Sequence, residues 1–360
     1  MRVDNFGAGP CTLPLPILEE AQAEFLDFEG SGMSILELSH RSSFYERMHE
    51  EALSLAREVS GAPDDFEVLV IAGGATMQFA MIPANLLADP ASRGAYLRTG
   101  TWGRLALADA GRWGDAYCAW DGEPHGYRRM PELSEIRIES GARYLHVTSN
   151  ETIGGIRMLE MPALGVPLVV DVSSDFLARP IQWELCDLVY GGVQKNLAPA
   201  GMALVFMRRS LLDNLVGTLP RFFDYRWYAA KGSTGNTPPV FPIYMMGKML
   251  KLLRSLGGVT GLEQRTAHKA GIIYDVIDQS DGYYRSPVDP RHRSHTNVVF
   301  RLPTPEAESQ FLKESNAAGL VGLKGHRSVG GCRASLYAGL QLESAARLAS
   351  FMSDFRETNS

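Results

Sequence analysis

The sequence lacks the features of secreted, disulfide-linked and membrane-spanning proteins. Its 360 residues include four cysteines, none of them in a Cys-x-x-Cys pair, so we expect reduced thiols in a cytoplasmic protein. The first ten residues do not show the basic and then apolar pattern of a signal peptide. The uncharged stretch 68–88 contains Gly73, Gly74, Pro83 and Asn85, which makes it a poor membrane-spanning helix.

The sequence also lacks the glycine motifs of common nucleotide-binding proteins. Neither GxxxxGK[ST] nor GxGxxG occurs, which disfavours P-loop enzymes and dinucleotide-binding dehydrogenases. The formal net charge of −6 makes nucleic acid an unexpected partner. We also expect no bound metal.

What is present is the composition of an ordinary globular protein, with 45% hydrophobic and 21% charged residues. Short apolar runs alternate with helical patterns, which predicts an α/β domain built on a mainly parallel sheet. The predicted strands are Glu67–Ile71, Tyr144–Thr148, Leu168–Val172, Leu188–Tyr190 and Ala203–Met207, and the predicted helices are Phe44–Ser60, Gln78–Leu87, Trp102–Arg112 and Tyr244–Leu256.

The pattern changes after Gly257. Long helical segments there enclose only one clear strand candidate, Asn297–Leu302, and a glycine-rich basic region. We therefore predict a large domain at residues 15–257 and a smaller α+β domain formed by residues 1–14 and 258–360.

Lys195 and Asp171 are the main candidates for chemistry. Lys195 lies in the glycine- and proline-rich stretch 190–201, which leaves room for a flat cofactor, and lysine amines form Schiff bases with carbonyl groups. Asp171 follows an apolar strand, at the sheet edge where α/β proteins bind ligands, and a protonated pyridine nitrogen could be its partner. Taken singly, a loop lysine is more often solvated, and Asp171 could equally cap a helix or form a turn before Ser173.

Two further segments follow predicted strands. Residues 73–78 place two glycines before a helix whose free amides suit a phosphate, although such glycines are often purely steric. In residues 148–155, Thr152 could donate a hydrogen bond to a cofactor, whereas Asn150 and Glu151 could cap a helix or brace the loop. Because all four segments follow strands, we expect them to converge at one edge of the sheet.

Together these segments resemble the phosphoserine aminotransferases, which are class-V, fold-type I enzymes that use pyridoxal phosphate. The resemblance rests on the ordered motifs SNETIGG (149–155), DVSSDF (171–176), GGVQKNLAPAG (191–201), GNTPP (235–239) and GHRSVGGCRAS (325–335). It extends over essentially the whole chain. One departure is Ala75, where many relatives have a third glycine, and it bears only on the phosphate contacts.

The resemblance implies a role for each cofactor residue. Lys195 would carry the cofactor as a Schiff base, Asp171 would face the pyridine nitrogen, and Trp102 would stack on the ring. The other implied cofactor contacts are Ala75, Thr76, Thr152, Ser173 and Gln194, with Asn236 and Thr237 reaching the cofactor phosphate from the second subunit of a homodimer.

The implied substrates carry an α-carboxylate and, in one case, a distal phosphate, and guanidinium groups bind both anions well. By resemblance, Arg333 binds the α-carboxylate. The pairs His40–Arg41 and His326–Arg327 would face the distal anion. Without the resemblance, such pairs would more often be solvated surface residues.

The implied reaction is reversible transfer of the amino group of L-glutamate to 3-phosphohydroxypyruvate, giving O-phospho-L-serine and 2-oxoglutarate in L-serine biosynthesis. In that reaction Lys195 would move a proton between the substrate α-carbon and the cofactor C4′ carbon, serving as general base and then as general acid. A related phosphorylated threonine derivative, in pyridoxal phosphate biosynthesis, is a second candidate substrate.

Other functions are weighed against this one. An alanine–glyoxylate aminotransferase would have little use for two His-Arg pairs, and a cysteine desulfurase would need a mobile cysteine where Cys332 is expected to be packed. A non-catalytic binding protein of this fold would be expected to lack Lys195 or Asp171. A nicotinamide dehydrogenase is disfavoured by the missing glycine motif.

Overall fold

A computed structural model describes residues 2–359 of the chain, which form ten α-helices and thirteen β-strands. The helices are α1 (Leu15–Ala23), α2 (Ser43–Ser60), α3 (Gly74–Leu86), α4 (Thr101–Ala110), α5 (Arg209–Asp213), α6 (Tyr225–Ala230), α7 (Val240–Ser255), α8 (Gly258–Asp278), α9 (Pro305–Ala317) and α10 (Leu342–Asn359). The strands are β1 (Asp4–Asn5), β2 (Phe66–Ala72), β3 (Arg93–Arg98), β4 (Asp115–Asp121), β5 (Ala142–Thr148), β6 (Asn150–Glu151), β7 (Ile156–Arg157), β8 (Leu168–Asp171), β9 (Leu188–Gly192), β10 (Met202–Arg208), β11 (Asn297–Phe300), β12 (Leu320–Val321) and β13 (Cys332–Ser335).

Seven strands form the large sheet, in the order β2-β10-β9-β8-β5-β3-β4. β10 runs antiparallel to both of its neighbours, whereas β4, β3, β5, β8 and β9 are mutually parallel. Because β2 is also antiparallel to β10, it runs in the same direction as those five. The predicted α/β architecture with a mainly parallel sheet is therefore confirmed, and six carboxyl ends lie at one edge.

Both faces of this sheet are buried, which is why its central strands are continuous apolar runs. One face, which includes Val170 and Val189, packs against α2 and α7. The opposite face, which includes Val169 and Tyr190, packs against α3 and α4.

Two strands of the sheet, β3 and β4, were missed by the sequence analysis. Charged residues occupy their ends, and such residues usually indicate loops. In the fold these charges pair across the two strands, with Arg93 Nε 2.5 Å from Asp115 Oδ2 and Arg98 bound to Asp121. The charged ends are compatible with strands here because the fold brings each arginine of β3 next to an aspartate of β4.

The last hundred residues form a separate apolar cluster. Its buried members are Phe6 and residues between 270 and 355, and β1 pairs with β12 in parallel. The predicted division into a large and a small domain stays a prediction. The first and last residues of the predicted small domain, Met1 and Ser360, lie outside the described part of the chain. Within residues 2–359, no helix is long and apolar enough to span a bilayer.

Candidate active site

A cavity of about 570 Å³ lies at the edge where the parallel strands end. Segments that follow β2, β5, β8 and β9 converge there, as expected from the sheet direction. Ten of the sequence-predicted site residues line it, namely Ala75, Thr76, Trp102, Thr152, Asp171, Ser173, Gln194, Lys195, His326 and Arg333. The N-terminal residues Ala8, Gly9 and Pro10 also line it, and the sequence analysis gave them no role.

Lys195 lies in the turn after β9 and is only 8% exposed. Its Nζ donates to Oγ1 of Thr152 at 2.7 Å and lies 5.3 Å from the centre of the Trp102 ring. Burial lowers the pKa of Lys195 to about 8, against the opposing charges of Asp171 and Glu151. The amine is therefore much closer to its neutral, nucleophilic form at physiological pH than a solvated lysine would be.

Asp171 ends β8 and is buried. Its Oδ1 accepts hydrogen bonds from the amide of Ser173 at 2.8 Å and from the Ser173 hydroxyl at 2.6 Å, so the turn role weighed from the sequence does occur. Among residues 2–359, no group donates a hydrogen bond to the second oxygen, Oδ2. Burial raises the pKa of Asp171, while Lys195 and Ser173 lower it.

The start of α3 presents free amides to the cavity. Gly73 and Gly74 have φ of 98° and 67°, a left-handed conformation that favours glycine. A methyl group on Gly73 would lie 2.9 Å from Cβ of Met77. The following amides, those of Ala75 and Thr76, belong to the first helical turn and have no partner within the helix, which suits an anion.

Arg333 approaches from β13 in the small cluster. Its Nη1 donates to the carbonyl of Thr152 at 3.3 Å, and its Nε is buried without a hydrogen-bond partner among the described residues. Burial lowers the pKa of Arg333, but a guanidinium remains protonated in proteins. A half-buried cation without a carboxylate partner in the described chain is a site for an anion.

Five predicted site residues do not line the cavity of a single chain. Arg41, Arg327 and Thr237 are exposed, and His40 and Asn236 are half-buried. Their roles, including the contacts expected from a second subunit, stay predictions. Cys332 is buried, which agrees with its expected packing role and offers no mobile nucleophile.

The position of Glu151 settles an alternative that the sequence left open. Glu151 accepts hydrogen bonds from the amides of Trp102 at 3.3 Å and Gly103 at 3.1 Å. Both amides belong to the first turn of α4, so the helix-capping interpretation is confirmed for this residue.

Comparisons with known proteins agree with this geometry. The profile of the family Aminotransferase class-V matches residues 3–348. Phosphoserine aminotransferase of Dichelobacter nodosus (strain VCS1703A) is 48% identical over 356 residues, which cover 99% of each chain. The enzyme of the same name from Bacillus subtilis (strain 168) is 43% identical over 358 residues, again 99% of each chain.

Solved structures give the same result. Phosphoserine aminotransferase from Bacillus circulans subsp. alkalophilus superposes with a TM-score of 0.97 at 45% identity, covering 100% of this chain and 99% of that one. A pyridoxal-phosphate-bound phosphoserine aminotransferase from Trichomonas vaginalis gives a TM-score of 0.92 at 33% identity, covering 98% of this chain and 100% of that one.

Proposed function

The chain belongs to the phosphoserine aminotransferases of the class-V aminotransferase family, and we propose that it transfers the amino group of L-glutamate to 3-phosphohydroxypyruvate in a cytoplasmic L-serine pathway. The products are O-phospho-L-serine and 2-oxoglutarate. The observation that carries the proposal is the shared cavity of Lys195, Asp171 and Trp102, in a chain related to these enzymes along its full length.

The residues present fit pyridoxal phosphate. A buried amine of lowered pKa suits its aldehyde, and a buried carboxylate with an oxygen left without a donor suits a protonated ring nitrogen. Trp102 supplies an aromatic wall, and the amides at the start of α3 suit the phosphate. Lys195, Asp171, Trp102, Ala75 and Thr76 would hold the cofactor, with Thr152, Ser173 and Gln194 around them.

Two of these side chains, Lys195 and Asp171, act on protons. Lys195 would take the proton from the α-carbon of the substrate as general base and give it up again as general acid. Asp171 would keep the ring nitrogen protonated, because its negatively charged oxygen stabilises the positive charge of the protonated form. Bound pyridoxal phosphate would supply a conjugated ring that takes up the electron pair left at the α-carbon.

The substrates are held by cations. Arg333 binds the α-carboxylate with its fork of donors, and His326, which lines the same cavity, faces the distal phosphate together with Arg327. The pair His40–Arg41 faces the same phosphate, and Asn236 and Thr237 reach the cofactor phosphate from the second subunit of a homodimer. The related phosphorylated threonine derivative is a second substrate of the same charge pattern.

The decisive experiment compares keto acids. With pyridoxal phosphate and L-glutamate supplied, turnover of 3-phosphohydroxypyruvate should exceed that of pyruvate or glyoxylate by about a hundredfold or more, because only the phosphorylated acid satisfies the second group of cations. Formation of 2-oxoglutarate is followed by a coupled assay. Equal turnover of pyruvate would favour an alanine-type enzyme instead.

Replacing Arg333 by glutamine should raise the KM for L-glutamate by about a hundredfold. The physical reason is the loss of the cavity's unpaired guanidinium, which leaves the substrate carboxylate without a counter-charge. The measurement is a steady-state KM for each substrate. Arg285→Gln, which removes an exposed arginine outside the cavity, should leave both KM values unchanged and serves as the matched control.

A further inference from the structure

Glu151 is a fully buried carboxylate whose hydrogen bonds come only from uncharged groups. It is 0% exposed, and none of the described cations lies within ion-pair distance of it. Oε1 accepts from the hydroxyl of Thr99 and the amide of Gly103, both at 3.1 Å, and Oε2 accepts from the amide of Trp102 at 3.3 Å. Burying a carboxylate in this way costs free energy, so its presence needs a reason.

The first reason is the end of α4. The helix begins after Gly100, which has no side chain to cap it, and its first turn contains no acidic residue. Glu151 lies about fifty residues further along the chain, and its carboxylate accepts hydrogen bonds from the free amides of this helix end instead. Negative charge is favoured at the N-terminus of a helix. The amide of Trp102 is one of these free amides, and the side chain of Trp102 lines the cavity.

Gly100, which has no side chain, leaves room for the carboxyl group of Glu151. A methyl group on Gly100 would lie 2.6 Å from Cδ of Glu151. The φ of Gly100 is 174°, an extended value open to any residue, so the closeness of Glu151 is what restricts this position.

The second reason is the cavity lysine. Thr152, the next residue, accepts the hydrogen bond of the Lys195 amine. The charges acting on Lys195 are those of Asp171, Glu151 and Asp175, which favour its protonated form, and that of Arg333, which opposes it. Burial and, to a smaller extent, the charge of Asp171 raise the pKa of Glu151, while the hydrogen bonds from Gly103, Trp102 and Thr99 lower it. The two amides cannot accept a proton, so they favour the ionised form of Glu151.

We propose that Glu151 is a positioning residue of the active site, which fixes Trp102 through the start of α4 and provides a second negative charge for Lys195. This proposal rests on the proposed function, since it assigns Trp102 and Lys195 to the cofactor. It adds a residue whose effect is transmitted through the helix and through charge, without contact with the substrate.

The test compares Glu151→Gln with Thr99→Val. Glu151→Gln removes the negative charge and replaces one accepting oxygen with an NH2 group, which cannot accept the hydrogen bond of the Trp102 amide. Thr99→Val removes one neutral donor and keeps the charge. In Glu151→Gln, the dissociation constant for pyridoxal phosphate should rise about tenfold or more. In Thr99→Val it should rise only about threefold or less.

A second readout uses the cofactor-free protein. The rate of reductive methylation of Lys195, followed by mass spectrometry of its peptide, should rise with pH around a midpoint of about 8 in the unchanged chain. Loss of a negative neighbour makes the protonated amine less stable, so in Glu151→Gln the midpoint should fall by roughly half a pH unit or more. In Thr99→Val it should stay where it is, because the charge remains.

Unchanged cofactor affinity and unchanged midpoint in a folded Glu151→Gln protein would overturn the proposal. If that variant does not fold, Gly100→Ala decides, because it displaces the carboxylate and keeps its charge. A tenfold weaker cofactor affinity supports the proposal, and an affinity within twofold of the unchanged chain rejects it. An unchanged chain that fails to use L-glutamate and 3-phosphohydroxypyruvate would reject the proposed function alone, since neither readout depends on turnover.

Discussion

Replacing Lys195 by alanine should reduce amino transfer from L-glutamate by about a thousandfold, because a positioned general base typically accelerates proton transfer by roughly a hundredfold to ten-thousandfold. The cavity has no other lysine among its lining residues, so no nearby amine can take over. The pre-steady-state rate of 2-oxoglutarate formation is the measurement. The visible absorbance of protein mixed with pyridoxal phosphate should also change, because the amine that attaches the cofactor is missing.

Two controls make this result specific. Lys251→Ala removes a half-exposed lysine of α7 that pairs with Glu51 and does not line the cavity, and it should retain full activity. Ethylamine added to the Lys195→Ala protein should restore part of the lost rate, since a small amine can enter a cavity of about 570 Å³. Full activity of Lys195→Ala without added amine would remove this residue from its proposed role.

Replacing Asp171 by asparagine should reduce the rate by about a hundredfold to ten-thousandfold. The change keeps the size of the side chain but removes the negative charge that would hold a proton on the ring nitrogen. It also removes the charge that does most to favour protonated Lys195, against the burial that lowers the pKa of this lysine. Single-turnover rates and the affinity for pyridoxal phosphate both measure the loss.

The control for this substitution is Asp115→Asn, which removes an exposed carboxylate at the edge strand β4. It should cost little activity, because the Arg93–Asp115 pair lies outside the cavity and surface pairs contribute little to stability. Activity of Asp171→Asn above about a third of the original would mean that Asp171 serves only the turn it makes with Ser173.

Asp171 illustrates how a local role and a functional role coexist in one residue. The sequence offered either a turn or a cofactor contact, and the structure gives Oδ1 to the turn and leaves Oδ2 without a donor from the described chain. The turn fixes the side chain, so the carboxylate keeps one orientation without a ligand. This pre-organisation reduces the cost of ordering the site on binding.

The sequence by itself determined the α/β class, the central strands and most of the candidate site. Strands buried on both faces are recognisable as apolar runs, and functional residues of such proteins follow directly after them. For this reason the sequence alone places Thr152, Asp171 and Lys195 at one edge of the sheet. Their positions depend on chain direction and on short-range patterns alone.

Only the tertiary structure decided what depends on partners distant in the sequence. The charged ends of β3 and β4 are paired with each other only in the folded chain. The role of Glu151 depends on hydrogen-bond donors that lie 48 to 52 residues away in the sequence. The N-terminal residues Ala8, Gly9 and Pro10 line the cavity, although the sequence alone assigned them no role. The sequence of a charged or glycine-rich segment does not show whether the segment forms a surface loop or part of a site. Its hydrogen-bond and ion-pair partners are distant in the sequence and come into contact only on folding.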